Sequence, residues 1–292
     1  MTETLFKKAL VCDDGKSAGD AALSVGRYLS EQLGTPIHVL HAVDIPSAEH
    51  VAGDPSEELE RRRLFTQGAA NWMEERVHGA VSPKCTTSLH LGKPTASVIK
   101  TAKEIEADLV VLGPHEKEFL DFGGTQRAIF AGTKCSIWSQ PAPLSSIERI
   151  VCPCDLSPLS MAALDVARDL ARALTIPLHV LSASEPPIFV EPTVMYGDVP
   201  TPTYVIESLH EAAEARFNEA MASVNFEDIP GATHEFLIGA PVPTILDMQT
   251  PTDLVVMGTR GHTGLTAAIL GGTTYSVLKH AKGPVLAVRS AD

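Results

Sequence analysis

The chain repeats itself at the length of a whole domain, and this constrains its fold more than any other feature. His38-Val-Leu-His-Ala-Val43 returns as His179-Val-Leu-Ser-Ala-Ser184, 141 residues later. At the same spacing Asp14, Ala22 and Leu23 meet Asp155, Ala163 and Leu164. Asp108-Leu-Val-Val-Leu-Gly113 returns as Asp253-Leu-Val-Val-Met-Gly258 at a spacing of 145, and Gly123-Gly-Thr125 as Gly271-Gly-Thr273 at 148. A growing offset places small insertions in the loops of a shared scaffold. The period is far too long for a solenoid. It predicts two copies of one fold, residues 1–143 and 144–292, joined by the short polar stretch Pro141-Ala-Pro-Leu-Ser-Ser146.

Composition narrows the class. With 292 residues, 44% hydrophobic and 20% charged, the chain has enough apolar material for two full cores. A formal charge of −13 argues against nucleic acid as a partner, since the phosphate backbone needs cations. It leaves room for a small anion held by backbone amides. No stretch approaches the apolar length of a membrane span, and the first residues lack a signal-peptide run. Five cysteines without a framework spacing suit a reducing compartment. The expectation is a cytoplasmic protein.

Within each copy, apolar runs alternate with helical stretches. In the second, Arg149 to Cys152, Pro177 to Leu181, Thr233 to Leu237, Asp253 to Met257 and Pro284 to Val288 read as buried parallel strands. Ser157-Pro158 reads as a helix start, a serine cap followed by proline at the first helical position. Behind it Ala163, Val166, Ala167, Leu170, Ala171 and Leu174 form a helical stripe. Further helices are expected over about 204–224, 242–249 and 273–280. The first copy repeats the order from Lys8 to Ser139. Such alternation predicts an α/β fold, a five-stranded parallel sheet flanked by helices in each copy. The prolines at 186, 187, 192, 200 and 202 deny regular structure after the second strand of copy two, leaving either a surface loop or a lid over the strand ends.

The chemistry-bearing segment closes the second copy. A buried strand runs into Gly258-Thr-Arg-Gly261, nine residues follow, and Gly271-Gly-Thr-Thr274 opens a helix. Glycines let backbone amides approach a ligand, and a helix N-terminus adds unpaired donors and partial positive charge. The combination suits a phosphate chain. The plainer reading is a glycine-rich turn.

This segment resembles the universal stress protein family, whose ATP-binding members carry G-x2-G-x9-G-[S/T] here. Gly258, Gly261 and Gly271 fit that spacing, and Ile150-Val-Cys-Pro-Cys-Asp155-Leu-Ser157 is similar to the family's opening strand ending in Asp. The two-copy length resembles the tandem members. The resemblance implies two Rossmann-like domains of the adenine nucleotide α-hydrolase type, with ATP or a related adenine nucleotide in the second. By the same resemblance Asp155 takes the ribose hydroxyls, Ala183 offers backbone to the base, and Pro153 and Met257 line the base and sugar pocket. Gly258, Gly261, Gly271, Gly272, Thr273 and Thr274 hold the phosphates. Magnesium or manganese is compatible with the phosphate charge, though no residue demands either. Gly272 stands where the family has Ser or Thr, so a hydroxyl donor is lost there. The implied role is a stress-response switch or scaffold.

The first copy keeps Asp14 and Gly113 but has Glu116 in place of Gly261, Gln126 in place of Thr274, and a step of ten from Gly113 to Gly123 where the second has thirteen from Gly258 to Gly271. A carboxylate there repels phosphate, so this copy reads as a degenerate nucleotide site. Gly15-Lys16-Ser17 lacks the upstream glycine of a P-loop. Cys152 and Cys154 have no second ligand pair at metal spacing. His38 and His41 read as packing or edge residues, and His115 as an exposed loop residue. No catalytic triad or carboxylate pair can be assembled, so any ATP hydrolysis is expected to be slow. The last strands, near Cys135–Ser139 and Pro284–Val288, are candidates to pair the domains edge to edge as an internal pseudo-dimer, with a homodimer beyond that. Two alternatives stay open: a nucleotide-free module for an apolar ligand or partner protein, and a slow ATPase.

Overall fold

The computed structural model describes residues 5–43, 55–82, 84–114, 124–185, 203–259 and 270–289. The first half runs β1 (Ala9–Asp13), α1 (Ser17–Leu33), β2 (Ile37–Val43), α2 (Pro55–Ala80), β3 (Thr86–Leu91), α3 (Pro94–Glu104), β4 (Leu109–Leu112), α4 (Gly124–Gly132) and β5 (Ser136–Ser139). The second half runs β6 (Arg149–Pro153), α5 (Pro158–Leu174), β7 (Leu178–Ser184), α6 (Thr203–Ala222), β8 (Thr233–Ile238), α7 (Pro241–Met248), β9 (Asp253–Gly258), α8 (Gly272–His280) and β10 (Val285–Val288). The α/β alternation expected from the sequence is the observed order. The proline-rich stretch 186–202 lies outside the described residues.

The strands form a single ten-stranded sheet in the order β3-β2-β1-β4-β5-β10-β9-β6-β7-β8. Within each half every pairing is parallel. The two sets are not separate sheets: β5 and β10 pair antiparallel, with Leu286 opposite Trp138. In each half the first strand lies between the second and the fourth, so the connections leave in opposite directions from β1/β4 and from β6/β9. A crevice opens at such a switch point, at the carboxyl ends of the strands, and open α/β sheets bind their ligands there.

Side-chain alternation splits the core by face. Val11, Val39 and Val111 join Cys152, Val180 and Val256 in one apolar layer spanning both halves under α1, α2, α5 and α6. On the other face Leu10, Val110 and Ile137 form one cluster, and Val151, Val255 and Ala287 another. Leu270 packs against both. Arg289, just past β10, donates to the Phe130 and Thr133 carbonyls of the first half. It also stacks over the Phe130 ring, 4.7 Å from its centroid.

The helix start expected at Ser157-Pro158 is present. The Ser157 hydroxyl accepts from the Ser160 amide at 3.3 Å, and Pro158 opens α5. His38 bridges β2 to β3 through the Thr86 and Ser88 hydroxyls, and His179 bridges β7 to β8 through Thr233 and Glu235. His41 differs in bonding to backbone. Its Nδ1 donates to the Asp13 carbonyl at 2.8 Å, which ties β2 to the end of β1.

An acid-sensitive clamp holds the start of β9. Arg149 grips Asp253 with two bonds, at 2.7 and 3.1 Å, and the Thr250 amide adds a third. Burial pushes the Asp253 carboxyl up, but the Arg149 and Thr250 hydrogen bonds outweigh it and hold the group below its ordinary value. A carboxylate depressed in the folded state contributes stability above its unfolded value of about 3.9 and loses it as pH falls through the folded value. Arg149→Met is therefore expected to lower the urea midpoint at pH 7, with the gap to wild type closing below about pH 4. A gap that stays constant down to pH 2 would rule out this clamp as the source.

Candidate functional site

The second half's crevice is an open cleft of about 560 Å³ at the ends of β6, β7 and β9. Pro153, Asp155, Ala183, Met257, Gly258, Thr273 and Thr274, all singled out in the sequence, line it together. Gly261, Arg260 and His262 lie outside the described residues. Gly271 and Gly272 flank the cleft where α8 begins, Gly271 as the cap and Gly272 as the first helical residue.

Asp155 follows β6 in a tight turn. Its Oδ1 accepts from the Ser157 amide at 3.0 Å, which fixes the carboxylate at the mouth of the cleft. Leu156, between them, has φ 62°, a left-handed conformation that costs a leucine energy. Gly15 takes the same place in the first half at φ 76°. The carboxylate so held is an acceptor for hydroxyl or amine donors.

The phosphate candidates divide by what already holds them. A side chain on Gly258 would sit 2.7 Å from the Leu159 carbonyl oxygen. The approach of α5 to the strand end thus requires glycine there with or without a ligand. The Thr274 hydroxyl donates to the Gly258 carbonyl at 2.8 Å and is buried. Its proton ties α8 to β9, leaving its backbone amide for a ligand. The Gly271 amide donates to the Thr259 carbonyl at 2.8 Å, joining the two flanks of the glycine segment. Gly272 is different: among the described residues, no heavy atom beyond its chain neighbours and its own helix lies within 4 Å of where its side chain would project. Gly272 and Thr273 are exposed in the first turn of α8. Amides there have no intrahelical partner and carry the helix's partial positive charge. The site thus brings together an acceptor after β6, the central strand of the three, a donor cluster where α8 begins, and an apolar lining of Leu181, Ile245 and Met257.

Five lining residues escaped the sequence reading: Cys154, Ser160, Leu181, Pro241 and Ile245. Pro241 carried a signal, since it opens α7 as Pro94 opens α3. The Cys154 thiol is held up by burial, with its Ser160 contact pulling the other way. It sits in the cleft wall as a neutral group. Burial likewise raises Cys152, well above the ordinary value.

The first half carries the corresponding crevice, about 690 Å³ and lined by Cys12, Asp13, Asp14, Gly19, Leu40, Ala42, Val98 and Gly113 among others. Strand register matches the two position by position. Leu40 and Ala42 answer to Leu181 and Ala183, and Leu112 and Gly113 to Met257 and Gly258. Glu116 and His115 lie outside the described residues.

A model of the Universal stress protein family matches residues 5–139 and again residues 146–289. The chain belongs to the universal stress protein family. Universal stress protein Rv2005c of Mycobacterium tuberculosis is 23% identical over 95% of this chain and 95% of its own length. Universal stress protein Rv1996 of the same organism is 26% identical over 150 residues, and that match spans about half of each protein, 48% of this chain and 47% of the relative. Among solved structures, a universal stress protein from Archaeoglobus fulgidus superposes with a TM-score of 0.66 at 17% identity, covering 99% of this chain and 98% of that one. A putative universal stress protein from Pseudomonas aeruginosa gives 0.59 at 16%, covering 97% and 93%. At these identities the superpositions establish a shared fold. Among the described residues no helix is long and apolar enough to cross a membrane.

Proposed function

We propose that this universal stress protein binds ATP or a related adenine nucleotide in the cleft of its second half and acts as a stress-response switch or scaffold. The observation that carries the reading is the polarity of that cleft. Asp155 follows the central strand β6, with Leu181 and Ala183 of β7 on one side and Met257 of β9 and the first-turn amides of α8 on the other. A nucleoside phosphate has the complementary order: a flat apolar base, then a ribose with its hydroxyl donors, then an anionic tail. In this reading Pro153, Ala183 and Met257 surround base and sugar, Asp155 accepts from the ribose, and Gly261, Gly272, Thr273 and the Thr274 amide hold the phosphates. The cleft fits the group, because among the described residues nothing fills the space beside Gly272 at the start of α8. A magnesium or manganese ion on the phosphates supplies charge balance when present.

The reading extends to organisation. Residues 1–143 and 144–292 act as a pseudo-dimer through the β5–β10 seam, with the first domain degenerate for nucleotide, and two chains associate as a homodimer in the cytoplasm. Binding is transmitted through α8, because Tyr275 in its first turns stacks with Arg127 of α4 at 5.2 Å.

Calorimetry with ATP on wild type and on Gly261→Glu tests this. The substitution copies the first half's Glu116 into the second. The expected result is one ATP per chain, weakened by about a hundredfold or more in the variant, because charges about 4 Å apart near a protein surface repel by roughly 4 kcal/mol. Wild type that binds no ATP would move the assignment to the nucleotide-free module.

A further inference from the structure

We infer that the first half's crevice is a binding site in its own right, for an uncharged purine nucleoside. The choice of base rests on the adenine reading of the second half; the rest comes from differences between the two clefts. The apolar floor is kept, with Leu40, Ala42, Val98 and Leu112 in the places of Leu181, Ala183, Ile245 and Met257. The crevice is also larger, about 690 Å³ against about 560 Å³. An open cleft with an apolar lining and a few convergent polar groups is what small-molecule sites look like. Asp14 is held by backbone amides as Asp155 is: its Oδ1 accepts from the Lys16 amide at 2.9 Å and the Gly19 amide at 2.7 Å. An acceptor for hydroxyl donors is therefore in place at the mouth.

What changes is the charge the cleft can take. Where the second half has the neutral Cys154 thiol, the first has the Asp13 carboxylate. The Asp13 and Asp14 oxygens take up amides at the entry to α1, from Gly15, Lys16 and Gly19, so the chain's own carboxylates occupy that helix N-terminus. Arg76 pairs with Asp13 and Asp20 together, one guanidinium against two carboxylates, and so leaves the charge of Asp14 in place. Cys12 adds no charge of its own, since burial and neighbouring Asp13 raise its thiol. Asp13 and Asp20 against Arg76 leave one negative charge beside that of Asp14, and the glycine spacing that suits phosphate in the second half is shortened by three residues. A ligand here needs hydroxyl or amine donors and a flat apolar body, and it is penalised for every phosphate it carries.

Adenosine and ATP, titrated separately by calorimetry into the full chain, distinguish the sites. The variants are Asp14→Asn, which keeps the capping oxygen, Ala42→Leu, which fills the crevice floor, and Asp155→Asn, with thermal melts confirming that each folds. Two adenosines per wild-type chain are expected. Asp14→Asn and Ala42→Leu should each weaken one of them at least tenfold and leave the single ATP event unchanged. Asp155→Asn should weaken the other adenosine and the ATP. On the Asp155→Asn background, adenosine should also change the emission of Trp72, which lies over the Gly15 turn beside His41. Adenosine binding that ignores both Asp14→Asn and Ala42→Leu overturns the inference. So does a second ATP that is lost with Asp14→Asn. An Asp14-sensitive adenosine site without any ATP binding would uphold it while sinking the nucleotide reading of the second half.

Discussion

Gly113→Ala is expected to be among the most damaging single-methyl changes in the chain. The added carbon would lie 1.9 Å from the Ala18 carbonyl oxygen, 2.5 Å from its carbon and 2.9 Å from its Cα. All three are backbone atoms at the start of α1, so no flexible side chain can yield. Either α1 lifts from the sheet and opens the layer of Val11, Leu23 and Val111, or β4 shifts and disturbs the cluster around Leu10, Val110 and Leu112. Overpacking of this kind costs about 3 kcal/mol, at the upper end of its usual range. Gly258→Ala meets the same helix entry less closely, at 2.7, 2.8 and 3.0 Å, and should cost about 1–2 kcal/mol. Urea unfolding of both variants checks the order. If Gly113→Ala unfolds within about 0.5 kcal/mol of wild type, a size typical of neutral surface changes, the close approach is not a constraint. The comparison bears on function too, because a glycine at this strand end is accounted for by helix packing before any ligand is considered.

That glycine shows where sequence reading stops. The doubled pattern made the architecture legible because strand register preserves spacing. Ala9 and Ile150 sit 141 apart and pair with Ile37 and Leu178, also 141 apart. The alternation of buried strands and amphipathic stripes then placed the elements to within a residue or two at most ends. The cleft was legible for the same reason, since Asp155, Ala183 and Gly258 end three strands that meet at the switch point. Individual hydrogen bonds were not. A threonine at the start of a helix reads as a ligand donor, and only the fold shows Thr274 giving its proton to the Gly258 carbonyl. The Asp13–Arg76 pair was missed because its partners are 63 residues apart and no repeat marks them. Asp13 lies beside Asp14, which the repeat did mark, and so drew no attention of its own.

Arg76→Met is expected to have the largest effect of any change that touches that pair. The Asp13 side chain is fully buried. Arg76 reaches it from α2 with Nε at 3.0 Å and Nη2 at 3.2 Å, and Nη2 continues to Asp20 at 2.6 Å. The hydrogen bond to Asp13 pushes the guanidinium still higher than its ordinary value, and Arg76 also stacks over Trp72 at 5.7 Å. Removing the cation leaves a buried carboxylate with the Gly15 amide as its remaining donor among these contacts, a loss of about 3–5 kcal/mol. The second half shows what a neutral solution looks like, because Cys154 occupies the same place with Ser160 beside it. A side chain on Gly19, the counterpart of Ser160, would lie 1.9 Å from Asp13 Oδ1. Carboxylate with glycine and thiol with serine are therefore paired choices. Adding Asp13→Cys to Arg76→Met should recover most of the lost stability, since a buried ion pair exchanged for neutral groups of similar size is often nearly neutral. Urea midpoints of the two single variants and the double complete the cycle. If Arg76→Met costs as much on the Asp13→Cys background as it does in wild type, the effect comes from lost packing on Trp72 and the buried charge is not its cause.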